Sequence, residues 1–471
     1  MELNKGSKRT RKVINPEGSI VLKRSDEIQL YLEASNLNIK EDKFYQSAKD
    51  KLASLIKMAR EANQAYVFGL GRFLTDNGLK LSPVVLYSVL SDRHVPINAS
   101  AIKTFNTPQR IAEAVSLQNL KIVKLNNQFK KKILKKALEN MSEFTLRKNK
   151  MLKRKVKEKD LIKLLRPKPA NAEMAKLYKA IIEDDKLSKM KETETFVRVK
   201  SSKEMNTKDK LDYLTNNVDR LPINELIRNL KFISENADFR KDFELKSKVI
   251  AKLQNIKDMR FLNVFDLITT VVYVPDFSKA LSEVVKKFCD DVKAKFDYNE
   301  SATVLFDLSG SMEGEGIEKG FKYLVLFANI FGNLKLRCFS EELLKDTYQN
   351  VITDINKGNY KIALNKLDTI GGTALLDSLD KLIDEGKTES NIIIISDEVS
   401  WLEGDDLSVR IKEISDKLKG KKVILVNPVV YKGTVFRDNI IAFASLTSNV
   451  IYNLMIGTKP EAFVKMIKEY K

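Results

Sequence analysis

Residues 303–314 read TVLFDLSGSMEG. The run Thr303–Phe306 is β-branched and aromatic, the composition of a strand buried on both faces. It ends in Asp307, and Ser309 and Ser311 then alternate along a turn that Gly310 permits. Three oxygen-bearing side chains at this spacing can converge on one small cation at the carboxyl end of the strand.

Working outward, the segments LKLRCFS, NIIIISD and KKVILVNPVV also read as strands, with NVIYNLMI a weaker one. Between them lie amphipathic stretches, GIEKGFKYLVLFANIFG, TALLDSLDKLIDEG and LSVRIKEISDKLKG. Alternating strands and helices predict an open, mostly parallel sheet covered on both faces. Ligands of such sheets bind beyond the carboxyl ends of the strands, where Asp307 and Asp397 both fall. Thr373, in GGTALLDS, adds a hydroxyl from a third loop. The set Asp307, Ser309, Ser311, Thr373 and Asp397 offers two carboxylates and three hydroxyls, a donor set suited to magnesium or another divalent cation. Helix capping by the two serines alone leaves Asp397 and Gly371-Gly372-Thr373 unexplained.

Enzymatic readings of this loop set lack their parts. An aspartyl-phosphate phosphatase requires a second acid two residues after the first, where Ser309 stands. The sequence contains no G-x-x-x-x-G-K-[ST] phosphate loop. Its single histidine, His94, lies far off in a helical region and supports neither a Ser–His–Asp triad nor a multi-histidine metal site. Cys289 and Cys338 are the only cysteines, too few for a disulfide framework or a cysteine-rich zinc site. The chain reads as non-catalytic.

Upstream, from about Ser25 to Ala294, the pattern is helical. DKFYQSAKDKLASLIKMAREANQ, LIKLLRPKP, NAEMAKLYKAIIEDD and LPINELIRNLKFISE each space apolar residues three or four apart. Pro83, Pro108, Pro167, Pro222 and Pro275 punctuate these segments. Many moderate helices with short connections predict stacked helical pairs, a solenoid or a closed ring, with no exact repeat period.

Charge separates the two grammars. Residues 301–471 carry 22 Lys+Arg against 24 Asp+Glu, whereas residues 1–300 carry 61 against 39, so the whole surplus of the chain lies in the earlier part. Such asymmetry points to a polyanion partner there and a different task for the remainder. Its densest run, residues 130–168, holds 16 Lys+Arg and only 4 Asp+Glu, too few acids for an ordinary solvated helix face paired at i,i+4. Lysine and arginine contacts to phosphates supply affinity that falls steeply with salt. The apolar runs, such as VVLYSVL at 84–90, are too short to span a bilayer, and the basic start MELNKGSKRTRKV lacks the apolar stretch of a secretory signal. A cytoplasmic protein with no membrane partner is expected.

Three sets of residues resemble known families. The order D-x-S-x-S, then Thr373, then Asp397 resembles the metal-ion-dependent adhesion site of von Willebrand factor A domains. KDLIKLLRPKP (159–169) and LPINELIRNL (221–230) resemble two signatures of the TROVE module. A TROVE module followed by an A domain is the architecture of the Ro ribonucleoprotein family, whose A-domain loops GGTALLDS and ISDEVSW also resemble.

The resemblance implies a multidomain chain: an all-α ring of HEAT-like helical repeats, then an α/β doubly wound, Rossmann-like A domain. The expected divisions are a basic arm at 1–18, the TROVE-like module at 19–296 and the A-like domain at 297–471. It further implies small structured noncoding RNA, of the Y RNA kind, on a basic outer surface, and single-stranded RNA ends in the ring. A ribonuclease or other protein is the implied partner of the A domain, and no DNA specificity is expected. The signature histidine of the family, an RNA contact, is Arg166 here, which keeps a cationic donor able to stack on a base or grip phosphate but does not titrate near neutrality. Lys168 matches the signature lysine, and Lys150, Lys153 and Arg154 in the preceding basic stretch are its expected companions in RNA binding. Arg228 and Asn229 of the second motif are expected to pack or line the ring. A rival reading is a metal-dependent protein-interaction scaffold with a peptide-binding helical solenoid.

Overall fold

The computed structural model describes Leu30, Ala34 and most residues between 48 and 454, apart from 147–155, 185–204, 398–412, 429–450 and several gaps of one or two residues. The predicted basic arm at 1–18 lies outside the described residues, as does most of LSVRIKEISDKLKG. A largely helical N-terminal region precedes a small parallel sheet flanked by helices. By packing, the chain divides into two units, one chiefly residues 19–193 and the other chiefly 194–471.

In the first unit the described helices are α1 (Ala48–Glu61), α2 (Gln64–Asp76), α3 (Ser82–Asp92), α4 (Pro108–Asn119), α5, α6 (Glu158–Leu165) and α7 (Ala172–Asp184). Helix α5 is continuous but changes pitch: Asn127–Phe129 is α-helical, Lys130–Leu134 is a π-turn and Lys135–Glu139 is α-helical again. Pro83 and Pro108 occupy the first turns of α3 and α4, where a missing N–H costs nothing. Asn126 starts α5 by accepting the Phe129 N–H on its side chain at 2.7 Å. The buried rings of Tyr87, Phe105 and Phe129 meet in sequence, with centroids 6.4 Å and 5.6 Å apart, and tie α3 to α5. His94, after α3, is exposed and carries a left-handed φ of 59°.

The second unit opens with α8 (Thr207–Asn217), α9 (Ile223–Asn236), α10 (Phe243–Gln254), α11 (Val264–Tyr273) and α12 (Ser278–Phe296). Not all of its lysines face solvent: Lys252 Nζ donates to the carbonyls of Val218, Asp219 and Leu221 at 2.5, 2.9 and 2.5 Å, satisfying a helix end. There follow β1 (Ser301–Asp307), α13 (Glu315–Ile330), β2 (Asn333–Phe339), α14 (Gln349–Asn356), α15 (Tyr360–Leu364), α16 (Leu375–Asp384), β3 (Asn391–Ile395), β4 (Lys422–Val426) and β5 (Ile451–Leu454).

Among the described residues all four strand pairings are parallel, in the order β2-β1-β3-β4-β5. The two-residue period of the strands sorts their side chains onto two cores. Ala302, Val304, Phe306, Ile393, Ile395, Ile424 and Val426 join a cluster with residues of α8–α15. Leu305, Ile392, Ile394 and Val423 face Leu379 and Leu382 of α16 together with Ile414 and Leu418. Burial on both faces is why these strands are unbroken apolar runs rather than alternating ones. The order reverses direction between β1 and β3, which places the crevice of this sheet at the carboxyl ends of those two strands.

Candidate functional site

Asp307 ends β1 and is fully buried, paired across the ladder with Phe339. The chain turns at once: the Leu308 N–H donates to Phe339 O at 2.8 Å, and the Ser309 N–H folds back onto Asp307 Oδ1 at 2.8 Å. Ser309 Oγ and Ser311 Oγ lie 3.0 Å apart, hydrogen-bonded to each other. From the end of β3, Ser396 Oγ donates to Asp307 Oδ2 at 2.5 Å, and Asp397 follows it, 3% exposed. The third loop docks by its backbone. Ile370 N–H donates to Leu308 O at 2.6 Å, Gly310 N–H to Gly371 O at 2.9 Å, and Ala374 N–H to Ser340 O at 2.7 Å. Gly371 has a left-handed φ of 61°, and a Cβ there would stand 2.9 Å from Glu341 Oε1, so glycine is the residue this approach admits.

Asp307, Ser309, Ser311 and Asp397 are thus brought into one polar cup at the reversal point of the sheet. Thr373 lies two residues past Gly371 in the bordering loop, part-exposed. Burial pushes the Asp307 carboxyl up to about 7, opposed by the Ser396 hydrogen bond and reinforced by the neighbouring Asp397 charge. Ser396 has no place in the predicted set. Its signal was a lone hydroxyl closing the isoleucine run of β3.

The expected magnesium or other divalent cation is not supported and is corrected here. Among the described residues, no group of three or more His, Cys, Asp or Glu side chains is placed to hold a metal ion. The cup has two carboxylates, and Asp307 has turned both of its oxygens to internal donors, Ser309 N–H and Ser396 Oγ. These bonds tie the Asp307 carboxyl into the corner itself.

The basic elements meet elsewhere. Lys150, Lys153 and Arg154 lie outside the described residues. Arg166 and Lys168 are exposed on the turn after α6. Helix α6 ends there because Pro167 has no N–H to continue it, and Arg166 adopts φ 47°, ψ 60°, a left-handed conformation uncommon for a side-chain-bearing residue before proline. The Lys168 N–H then donates to Glu139 Oε1 of α5 at 2.9 Å, tying this turn to the lysine-rich helix. Glu139 was not singled out by sequence, although it is the sole acid in KKKILKKALEN. Arg228 pairs with Asp266 at 3.3 Å, and buried Asn229 donates to Glu225 O at 2.8 Å, both within the second unit.

The unit boundary sharpens the charge asymmetry. Residues 1–193 carry 41 Lys+Arg and 21 Asp+Glu, whereas residues 194–471 carry 42 of each. The entire surplus of 20 lies in residues 1–193. No protein-family model matches the chain, and no curated protein matches its sequence. Among the described residues, no helix is long and apolar enough to cross a membrane.

Proposed function

We propose that this is an RNA-binding protein of the Ro type, non-catalytic, holding structured noncoding RNA on the basic surface of its first unit and accepting single-stranded RNA ends. The finer architecture that accompanies this reading is a TROVE-type helical-repeat module followed by a von Willebrand A-type domain, acting in the cytoplasm. The observation that carries it is the coincidence of charge with packing: residues 1–193 hold the whole net charge of +20 and residues 194–471 hold none. A generally lysine-rich composition would have charged both units alike. The exposed pair Arg166 and Lys168, with Lys150, Lys153 and Arg154, is the proposed contact set, and the neutral second unit leaves room for a ribonuclease or other protein partner.

Filter binding with a stem–loop RNA and with a single-stranded RNA tests the proposal. Binding to both is expected, weakened at least tenfold by charge reversal of Arg166 and Lys168. Absent or salt-insensitive binding rejects it.

A protein-interaction scaffold is the second reading, with Ile370, 48% exposed on the loop bordering the cup, as its candidate contact. A protein partner retained after RNase treatment, and lost in Ile370→Asp, favours that reading over RNA binding.

A further inference from the structure

Within the first unit, one carboxylate occupies a position that solvation does not explain. Glu139 closes α5, a helix bearing Lys130, Lys131, Lys132, Lys135 and Lys136. Its side chain is only 15% exposed, with Lys135 Nζ at 3.9 Å and Lys136 Nζ at 3.7 Å. An acid serving only to balance lysines along a helix stays in water, where such pairs contribute a few tenths of a kcal/mol. Glu139 instead accepts the backbone N–H of Lys168, 29 residues along the chain. The neighbouring Leu138 O accepts the hydroxyl of Tyr178 of α7 at 3.5 Å, and that phenol is pushed up by burial first and by the Glu139 charge second. The carboxylate therefore sits where α5, α7 and the Arg166–Lys168 turn meet.

Helix α5 is shaped to match. Its Lys135 N–H donates to Lys130 O, five residues back, which widens the turn. Phe129, Ile133, Leu134, Ala137 and Leu138 remain buried on one side, while Lys131, Lys132 and Lys136 are exposed. The apolar side fixes the orientation of the lysine side. π-turns of this kind are concentrated at functional sites.

We propose that the exposed lysines of α5 and the Arg166–Lys168 turn form one phosphate-gripping face for an RNA backbone, and that Glu139 is the positioning residue that holds the two elements together. This rests on the RNA-binding reading and names the part of the first unit that performs it. Lys131, Lys132 and Lys136 neutralise successive phosphates, and Arg166, presented by its left-handed turn, supplies the planar donor that contacts a base or a phosphate bidentately. Glu139 touches no RNA. Its acceptor fixes the backbone from which Arg166 and Lys168 project.

The sign of one substitution separates positioning from bulk electrostatics. Removing an acid from a polyanion-binding surface raises affinity if charge alone matters. The positioning role predicts the reverse for Glu139→Ala: a three- to tenfold loss of affinity for a labelled stem–loop RNA with a single-stranded tail, despite one more net positive charge on the full-length chain. Glu139→Gln keeps a carbonyl acceptor for the Lys168 N–H and is expected to bind as tightly as wild type or tighter. Lys131→Glu with Lys132→Glu, both exposed, is expected to weaken binding at least tenfold. Circular dichroism checks the fold of each variant, and the Lys131/Lys132 pair decides the matter if Glu139→Ala does not fold. Tighter binding by Glu139→Ala, or unchanged binding by the lysine pair, overturns the inference while wild-type binding keeps the broader reading intact. Wild-type protein that ignores RNA and binds phosphatidylserine vesicles overturns both.

Discussion

At the level of single residues, Asp307 and Arg166 each hold an unfavourable state that the surrounding structure enforces. The Asp307 carboxyl, raised to about 7 from an ordinary 3.8, binds its proton more tightly folded than unfolded. The stability this confers is fully present below the ordinary carboxylate range and is lost as pH rises through about 7. Asp307→Asn, which retains the shape and the acceptor for the Ser309 N–H, is therefore expected to stabilise the second unit above pH 7, by on the order of 4 kcal/mol at most. The gain shrinks through the window from 7 down to about 4. Thermal melts at several pH values check this, and a destabilised variant at pH 8 shows instead that the ionised carboxylate is the form the fold needs. Arg166 offers a second test, since its φ of 47° suits glycine better than arginine. Arg166→Gly is expected to change stability by less than about 1 kcal/mol, because relief of the left-handed strain offsets the extra chain entropy. RNA affinity is nevertheless expected to fall three- to tenfold. The two aspartates were legible in the sequence because each follows an apolar run, Asp307 as the last residue of β1 and Asp397 two residues past β3. The internal use of Asp307 was not, because a D-x-S-x-S spacing specifies which oxygens are near one another and leaves open which donors they choose.

At the level of elements, a close fit lies where α13 crosses the sheet. A Cβ on Gly320 would stand 2.9 Å from Phe306 Cζ and 3.0 Å from Ile395 Cγ2, side chains on the two strands that flank the reversal point. Gly320→Ala is expected to cost about 1–3 kcal/mol by overpacking, since both neighbours are fully buried. Urea unfolding followed by far-UV circular dichroism measures it, and an unshifted midpoint shows that α13 can slide. Strands β1 to β5 were each legible from their apolar runs. Their spatial order was not, because every central strand reads alike when both faces are buried. The change from helical to alternating pattern near residue 297 marks where strands begin, whereas packing divides the chain near 193. Helices α8 to α12 look like their predecessors in periodicity, yet Leu226, Leu267 and Leu281 share a core cluster with Val304 and Phe306 of β1. Periodicity reports that a helix has a buried face and is silent on what buries it.

For the whole molecule, the account is electrostatic. The first 193 residues of the chain hold 20 surplus positive charges and the remainder is balanced. RNA affinity is expected to drop by about a hundredfold between 50 and 200 mM salt if some five phosphates are neutralised. A flat salt profile contradicts a phosphate-dominated interface. Ultraviolet crosslinking of the full-length protein to a stem–loop RNA, with mass spectrometric mapping of the joined peptides, locates that interface. Crosslinks are expected to concentrate between residues 127 and 168. Crosslinks confined to residues 301–454 contradict that placement.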